Sequence, residues 1–462
     1  MRTAVVILLC VVAIAPARGD EPAAKPHRYT AQLARECDEL IAAAVKRPYG
    51  WGWGDAAEGP DPRKGAARNV PISLEPSTTP AAGLLLLYAS ELLNEPKYAD
   101  AARNVGRGVA ASQQTIGKFP AQALFGPTSA ASKEALAPLP DRGATCACLG
   151  LLLSLMDEAK PQETIDRAAS RGALWLTKQQ AESGAWLTIY PPNAAVLDGM
   201  RIARLDTPEA RDCILTMMLA YEVLGEPFQR RSVEKSLEFL LKARIAPGAN
   251  IGAGLWRPAC TAKGMAVDHI AEFGPGLDSL ASRYSMQAIF SAWVVFGEEQ
   301  RLSACDLASK SLDDLIKGYD GLWHRRFGLN GASLDPPPPK ATNSPFGPPN
   351  ATANAPAASD PGLAATVWTI AKGKELGREK FRERLTAHFT PKQHLALVAC
   401  GLSDHPMAAD FPARVEELAG YLKQHEAQFH LIDGEVPIEI AGKIRRLWAL
   451  YLRARLESRL GA

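Results

Sequence analysis

A glycine followed two residues later by a large aromatic residue recurs along this chain at a regular interval. The copies are Gly-Trp-Gly-Trp at 50–53, Gly117-Lys-Phe119, Gly184-Ala-Trp186, Gly254-Leu-Trp256 and Gly321-Leu-Trp323. Their last aromatic positions are 66 to 70 residues apart, which indicates a repeat with a period near 67. Flat rings held around a rim are suited to stacking on sugar faces. The candidate substrate-binding residues are therefore Trp51, Trp53, Trp186, Tyr190, Trp256, Tyr284 and Trp323.

Each repeated ring also has a structural interpretation. The aromatic side chain could plug the end of a helical hairpin and fix the following turn, as in the Gln-Trp repeats of terpenoid cyclases. Glutamine pairs before the second and third copies, Gln113-Gln114 and Gln179-Gln180, favour this alternative. The doubled Trp51 and Trp53 form the copy best suited to an exposed ring.

Helical segments fill most of the chain between these copies. Apolar residues recur at three- and four-residue steps, strand-like alternation is scarce, and Gly or Pro separates neighbouring segments. The predicted hairpins pair 79–93 with 98–113, 145–158 with 163–180, 209–224 with 229–243, and 279–296 with 301–316. A degenerate sixth pair comes from 363–372, 394–402 and 415–423.

The first and last predicted helices have no partner beside them in the sequence. Pairing 30–46 with 439–460 closes about six hairpins into a ring, so we predict an all-α fold, an α/α toroid. Connections within hairpins are short, whereas those between hairpins are long, and in such a ring all the long ones emerge at one end. We therefore expect a functional face at that rim. Residues 335–361 contain nine prolines and are predicted to be a poorly ordered, dispensable insertion.

The first 19 residues have the pattern of a secretion signal. Arg2 precedes a short apolar run at 4–15, and Ala17-Arg18-Gly19 places small residues before a cleavage point at Asp20. An uncleaved membrane anchor is the alternative. We expect a secreted or periplasmic protein whose mature part, 20–462, is a single toroid domain.

Composition and charge limit the class of partner. The chain is 47% hydrophobic and 22% charged, which is typical of globular proteins. It has 52 Lys and Arg residues and 50 Asp and Glu residues. Cleavage of the predicted leader would remove two arginines and no acidic residue. This neutral body without a basic block predicts no nucleic-acid partner and no membrane partner after cleavage of the signal. We expect a monomer that binds a polysaccharide, which could be anionic.

The seven cysteines that follow the leader predict neither a disulfide framework nor a metal site. Their odd number leaves at least one unpaired within a monomer. Cys148, Cys213, Cys305 and Cys400 lie in apolar helical patterns, where cysteine is usually a small core residue. Cys146-Ala-Cys148 lacks the two-residue spacer of a redox or zinc pair.

Several catalytic classes lack their sequence motif here. The chain has no Asp-x-Asp-Asp acid motif for a polyprene, because Leu312-Asp313-Asp314-Leu315 lacks the first acid. The Gly-x-Ser-x-Gly elbow, His-Glu-x-x-His, the P-loop and Gly-x-Gly-x-x-Gly are also absent from the sequence. The sequence therefore gives no support to a serine hydrolase, a zinc peptidase or a nucleotide-dependent enzyme.

The predicted ring resembles the terpenoid-cyclase-like α/α toroids, and several segments within it resemble the pectic acid lyases (pectate lyases). These segments are Thr78-Thr79 opening a helix, Gly117-Lys-Phe-Pro120 after Gln113-Gln114, Gly184-Ala-Trp186 with Tyr190-Pro191, and Gly321-Leu-Trp-His-Arg-Arg-Phe327. The resemblance covers roughly residues 75–330. The Asp-Asn-Gly that usually precedes the paired threonines in that family is replaced here by Leu74-Glu75-Pro76-Ser77.

This resemblance implies β-elimination on a uronate chain. A base removes the proton α to the sugar carboxylate, a cation stabilises the enolate-like charge, and the C4–O4 bond breaks. The catalytic candidates are Arg283, beside Tyr284 at a helix start, and Arg325 or Arg326 after the fifth aromatic. The cation could be arginine or a calcium ion. The candidate calcium ligands are Glu75, Asp198 and Asp268.

Three functions are open at this stage. The first is a secreted polysaccharide lyase or a related glycan-active enzyme. The second is a non-catalytic toroid that binds glycan or envelope partners. The third is a lipid or isoprenoid binder, which would need an aromatic, acid-poor central cavity.

Overall fold

The computed structural model describes residues 28–54, 69–125, 142–156, 161–190, 200–249, 252–267, 276–317, 326–327, 361–387, 389–403 and 439–460. Several sequence predictions lie outside these ranges: the leader, the helix at 415–423, and the insertion at 335–361 apart from its last residue. The candidate site residues Asp198, Asp268, Trp323 and Arg325 also lie outside them.

Helices dominate the described residues. Helices α1 to α13 are, in order, Arg28–Ala42, Thr79–Leu93, Pro96–Ala111, Arg142–Leu155, Glu163–Lys178, Glu209–Leu224, Pro227–Ala243, Ser279–Phe296, Glu299–Lys317, Pro361–Leu376, Arg378–Thr386, Pro391–Ala399 and Ile440–Leu460. Every helix predicted within the described ranges is present, with ends displaced by at most four residues. Helix α11 was not predicted. Within this part of the chain, no helix is both long and apolar enough to span a bilayer.

Nine short strands accompany the helices in the described residues. Strands β1 to β9 are Val45–Arg47, Gly50–Gly52, Val70–Ser73, Gln122–Phe125, Thr188–Tyr190, Met200–Arg204, Ala259–Cys260, Leu277–Asp278 and Arg326–Phe327. They pair as β1-β2, β3-β4, β5-β6-β7 and β8-β9, always antiparallel. All lie in the connections between helices, so they join loops rather than form a layer.

Alternate helices form two concentric layers. Helices α2, α4, α6 and α8 are buried on nearly every side, whereas α3, α5 and α7 bury one face and expose the other. Each inner helix packs on the outer helix that follows it, and the inner helices contact one another in the order α2, α4, α6, α8, α10. This arrangement is the predicted α/α toroid.

The two termini of the described chain meet. Helix α1 packs along α13, and both contact α2, so the ring closes as predicted. The backbone N–H of Tyr29 donates to Glu457 Oε2 at 3.0 Å across this contact. Helix α1 ends earlier than the sequence predicted because residues 45–47 pair with 50–52 as a β-hairpin.

The ends of the helices follow from their local sequence. Asp278 caps α8 by accepting a hydrogen bond from the Ala281 N–H at 2.9 Å. Thr390 and Gln393 form a reciprocal capping box at the start of α12. Gly225 and Gly297 adopt left-handed backbone conformations that end α6 and α8 (φ 69° and 95°).

Helix α12 occupies the inside of the ring. It packs against both α4 and α6, whose other sides are already covered by neighbouring inner and outer helices. A Cβ atom at Gly150 of α4 would lie 3.2 Å from the Ala396 carbonyl oxygen and 3.0 Å from the Ala399 Cβ, so the two helices approach closely. Helix α12 therefore fills the space between α4 and α6.

Candidate functional site

The long connections meet at one end of the ring, which we call the rim. Strand β3 of the first connection pairs with β4 of the second, β6 of the third with β7 of the fourth, and β8 of the fourth with β9 of the fifth. The inner helices α2, α4, α6 and α8 all begin at this end. The rim thus combines the loops with the N-termini of the inner helices.

Most of the repeated aromatic rings are not available at the rim. Trp53, Trp186 and Trp256 are only 3%, 4% and 0% exposed, and Phe119 of the second copy is fully buried. A sugar could not stack on them in this structure. The substrate-binding interpretation is therefore wrong for Trp53, Trp186 and Trp256, and the plug alternative describes them.

The indole N–H groups explain how the plugs are fixed. Trp53 Nε1 donates to the Leu40 carbonyl at 2.9 Å, and Trp256 Nε1 donates to the Leu240 carbonyl at 2.8 Å. Each ring thus closes the end of the preceding helix by satisfying a carbonyl there.

A hydroxyl on the next inner helix holds the backbone of the plug residue. The N–H groups of Trp53, Phe119 and Trp256 donate to Thr79 Oγ1, Thr145 Oγ1 and Ser282 Oγ, at 3.0, 3.2 and 3.2 Å. The sequence separation is 26 residues in all three cases. In the third copy, the residue that lies 26 positions after Trp186 is Asp212, which has a carboxylate in place of the hydroxyl.

Three of the predicted aromatic residues keep part of their surface accessible. Trp51 is half-buried, with the Lys46 ammonium 4.8 Å from its ring centroid. Tyr190 in β5 and Tyr284 in α8 are also half-buried. Among the aromatic candidates in the described ranges, these three rings are the ones that a ligand could reach.

Buried arginines occupy the first two turns of three successive inner helices. Arg142 in α4, Arg211 in α6 and Arg283 in α8 are 3%, 3% and 7% exposed. A cation near a helix N-terminus is unfavourable because the helix dipole is positive there. Such arginines need acceptors close by.

Two of these arginines have acidic partners from α6. Arg142 Nε lies 2.6 Å from Glu209 Oε1, and Arg142 Nη2 donates to the Leu187 carbonyl at 2.6 Å. Arg211 Nε donates to Asp212 Oδ1 at 2.8 Å.

A glutamine extends the Arg211 network to two further helices. Arg211 Nη1 donates to Gln287 Oε1 of α8 at 2.8 Å, and Gln287 Nε2 donates to Thr366 Oγ1 of α10 at 3.0 Å. These bonds fix the Arg211 guanidinium across three inner helices.

Two guanidinium groups lie close to the Tyr284 ring. The Arg211 guanidinium carbon is 4.8 Å from the ring centroid and that of Arg283 is 5.4 Å from it. Beside this ring is a small cavity with room for about one water molecule. Its wall includes Thr207, Arg211, Tyr284 and Ser285 as polar members and Ile214 and Leu240 as apolar members.

The structure brings some of the predicted site residues together and separates others. Arg326 in β9 pairs by its backbone with Asp278, at the start of the helix that carries Arg283 and Tyr284. Glu75 is exposed in the turn before α2. Within the described residues, no cluster of three or more His, Cys, Asp or Glu side chains could hold a metal. The calcium site stays a prediction, because Asp198 and Asp268 lie outside the described residues.

The Arg211 network is not among the residues that the sequence predicts for the site. Arg211, Asp212 and Gln287 lie inside helical patterns, where nothing in their spacing marks them as functional. One signal in the sequence points to the network. In three of the four described copies, the residue 26 positions after the plug aromatic is Thr or Ser, whereas in the third copy it is Asp212, so the repeat diverges there.

Comparisons with known proteins give remote structural likenesses. No protein-family model matches the chain, and no curated protein matches it. An α-mannanase from Bacteroides thetaiotaomicron is 10% identical with a TM-score of 0.44, covering 94% of this chain and 97% of the other. A cellobiose 2-epimerase from Spirochaeta thermophila is 14% identical with a TM-score of 0.44, covering 93% and 97%. An α-amylase from Clostridium perfringens is 14% identical with a TM-score of 0.41, covering 93% and 99%.

These likenesses carry no argument about function. Their identities and TM-scores are too low for the chemistry of the neighbours to be transferred. The assignment as an α/α toroid rests on the helix contacts described above. The pectate lyase resemblance has no counterpart among these three structures.

Proposed function

We propose that this protein binds a glycan at the rim, at the cavity between α6 and α8. The observation that carries the proposal is the position of Tyr284, which lines the cavity together with Arg211 and lies close to both the Arg211 and the Arg283 guanidinium groups. A sugar presents an apolar ring face and adjacent hydroxyl groups. An accessible aromatic ring and fixed planar hydrogen-bonding groups complement both features.

The charges around the cavity favour hydrogen bonding over general attraction of anions. Arg211 is paired with Asp212, and Arg204 donates through two nitrogens to Asp206, each at 2.8 Å. Paired groups are preorganised because their side chains have already lost their rotational freedom. The cavity is small, so only one hydroxyl or carboxylate group of the sugar enters it while the ring rests at its mouth.

A lipid-binding function is less compatible with the interior of the ring. Such a ligand would need an apolar central cavity. Helix α12 instead packs between α4 and α6, and its residues Leu395 and Leu397 are 0% and 2% exposed. The described interior is therefore occupied by the chain itself, and a ligand site at the rim is favoured.

We propose uronate β-elimination as the second candidate function. This reaction needs a base near the sugar C5 and a cation near the carboxylate. Arg283 of α8 and Arg211 of α6, both close to the Tyr284 ring, are the candidates for these two groups. The calcium ion predicted from the sequence is an alternative cation.

Affinity electrophoresis in soluble polygalacturonate, xylan, mannan and β-glucan tests glycan binding. Replacing Tyr284 by Ala removes the ring at the cavity and should weaken binding about tenfold or more. Tyr221→Ala is the matched control, because this half-buried tyrosine lies near the other end of α6, beside Arg230. Retarded migration of wild type and Tyr221→Ala, but not of Tyr284→Ala, supports the proposal. Failure to bind any of the four polymers overturns it, as does equal binding of both variants.

A separate assay tests the lyase function. The mature protein is incubated with polygalacturonate, with and without calcium, and the unsaturated product is followed by its ultraviolet absorbance. Product that requires Arg283 supports elimination. Binding of polygalacturonate without product overturns β-elimination on this polymer and leaves glycan binding in place.

A further inference from the structure

Cys146 and Cys213 occupy equivalent positions on two adjacent inner helices. Each is the fifth residue of its helix, α4 or α6, and they are separated by one repeat of 67 residues. Their Sγ atoms are 3.9 Å apart, and the residues are 1% and 0% exposed. Both are free thiols in this structure, as are the five other cysteines in its described ranges.

A second pair of residues shows that these two helix faces are held in register. Arg142 and Glu209 lie four residues before Cys146 and Cys213, which is one helical turn towards the rim on the same face. Their ion pair of 2.6 Å joins the two helices directly above the thiols. The ion pair and the two thiols therefore lie on the same facing sides of α4 and α6.

We propose that Cys146 and Cys213 form a disulfide bond when the protein folds in an oxidising compartment. A disulfide-bearing oxidant, such as a thiol–disulfide oxidoreductase or oxidised glutathione, accepts the two electrons. One thiolate attacks the oxidant to give a mixed disulfide, and the second thiolate displaces the reduced oxidant. Two protons and two electrons leave the protein, one Sγ–Sγ bond forms, and the oxidant becomes two thiols.

The geometry requires only a small movement. A disulfide holds its sulfur atoms about 2 Å apart, so each sulfur moves by roughly 1 Å from its present position. Side-chain rotation and a slight approach of the helices supply this movement. Cys305 and Cys400 differ, because their sulfur atoms lie 3.6 and 3.4 Å from the carbonyl oxygens of Met286 and Ala147.

Burial determines when the bond can form. Desolvation raises the pKa of the Cys213 thiol well above its ordinary value, so the reactive thiolate is scarce in the folded protein. Oxidation then takes place while α4 and α6 are still accessible, before the ring closes. Refolding with oxidised glutathione should form the bond far faster than treating the folded protein with it.

Thiol counting and peptide mapping test the proposal. Residues 20–462 are refolded in a glutathione redox buffer, denatured in acid, alkylated and digested for mass spectrometry. We expect five of the seven thiols to react and a linked pair of peptides that contains Cys146 and Cys213. Cys213→Ala should leave six reactive thiols. The matched control Cys305→Ala should leave four, because it retains the bond.

Stability gives an independent readout. A bond that closes a loop of this length should raise the melting temperature by roughly 3–8 °C, and a reductant should abolish the increase. Cys213→Ala should show no response to reductant, whereas Cys305→Ala should respond like the wild type. Seven reactive thiols in the refolded wild type overturn the proposal, as does a linked peptide that joins other cysteines.

Discussion

Arg446 of α13 forms an ion pair with Glu36 of α1 across 410 residues of sequence. Arg446 Nη2 lies 3.0 Å from Glu36 Oε1, and Arg446 Nε lies 3.2 Å from the same oxygen. The two side chains are only 9% and 19% exposed. Because α1 and α13 are the first and last helices of the described chain, this ion pair lies at the closure of the ring.

Removal of Arg446 should destabilise the closed ring. Arg446→Ala leaves the mostly buried Glu36 carboxylate without this partner, which should lower the free energy of unfolding by about 2–4 kcal/mol. Urea unfolding followed by circular dichroism measures the change. Arg103→Ala is the control, because its pair with Asp100 is exposed and should contribute less than about 1 kcal/mol. Equal effects of the two substitutions would contradict an energetic role for the closing pair.

Ring closure could be predicted from the sequence because it depends on the number of helices and on their apolar periodicity. The segment at 30–46 lacked a partner upstream and the segment at 439–460 lacked one downstream, so each needed the other. The position of α12 could not be predicted in this way. Its apolar residues are equally compatible with a place in the ring or inside it, and only the packing of Gly150 against α12 decides between them.

The buried plugs should contribute to stability and not directly to binding. Trp256→Ala creates a large cavity and leaves the Leu240 carbonyl without its indole donor, so it should cost about 3–5 kcal/mol of unfolding free energy. Trp51→Ala is the control, because its half-buried ring should cost much less. Thermal unfolding measures both effects. If Trp256→Ala reduced glycan affinity per folded molecule while the melting temperature stayed unchanged, the plug role would be wrong.

The buried ring of His394 should make stability depend on pH. Desolvation, and secondly the nearby Arg455 guanidinium, lower the pKa of His394 from 6.5 to about 4. Between these values the unfolded chain binds a proton that the folded chain does not accept. Stability should therefore be greatest above pH 6.5 and fall by about 3 kcal/mol as the pH decreases to about 4.

A variant isolates this contribution from those of other groups. Burial also raises the pKa of Glu91, whose carboxyl interacts with Arg455, so the wild-type profile contains more than one titration. Subtracting the urea-unfolding profile of His394→Leu from that of the wild type should leave the histidine contribution. A difference that stays constant from pH 7 to pH 4 would show that His394 is protonated equally in both states.

The candidate site was only partly predictable, for a physical reason. Arg283 and Tyr284 are adjacent in the sequence and were identified from their place at a helix start. Their partner Arg211 lies 72 residues earlier. Its approach to the Tyr284 ring depends on how α6 rotates against α8. The sequence showed that tryptophans recur, but burial of the rings depends on how tightly each hairpin end closes.

Substitution of Arg283 by Lys should distinguish a uronate ligand from a neutral sugar. Lysine retains the positive charge but loses the planar fork of donors that pairs with a carboxylate at two points. Arg283→Lys should therefore weaken binding to polygalacturonate by roughly tenfold and binding to neutral mannan or xylan by less than about threefold. If the protein is a lyase, the rate at which unsaturated product forms should fall together with the affinity for polygalacturonate.

The control is Arg230→Lys, because this arginine also contacts a tyrosine ring, that of Tyr221. It should change neither affinity. Equal losses for charged and neutral polymers would show that Arg283 positions Tyr284 and does not contact a carboxylate, and the uronate preference would then be abandoned.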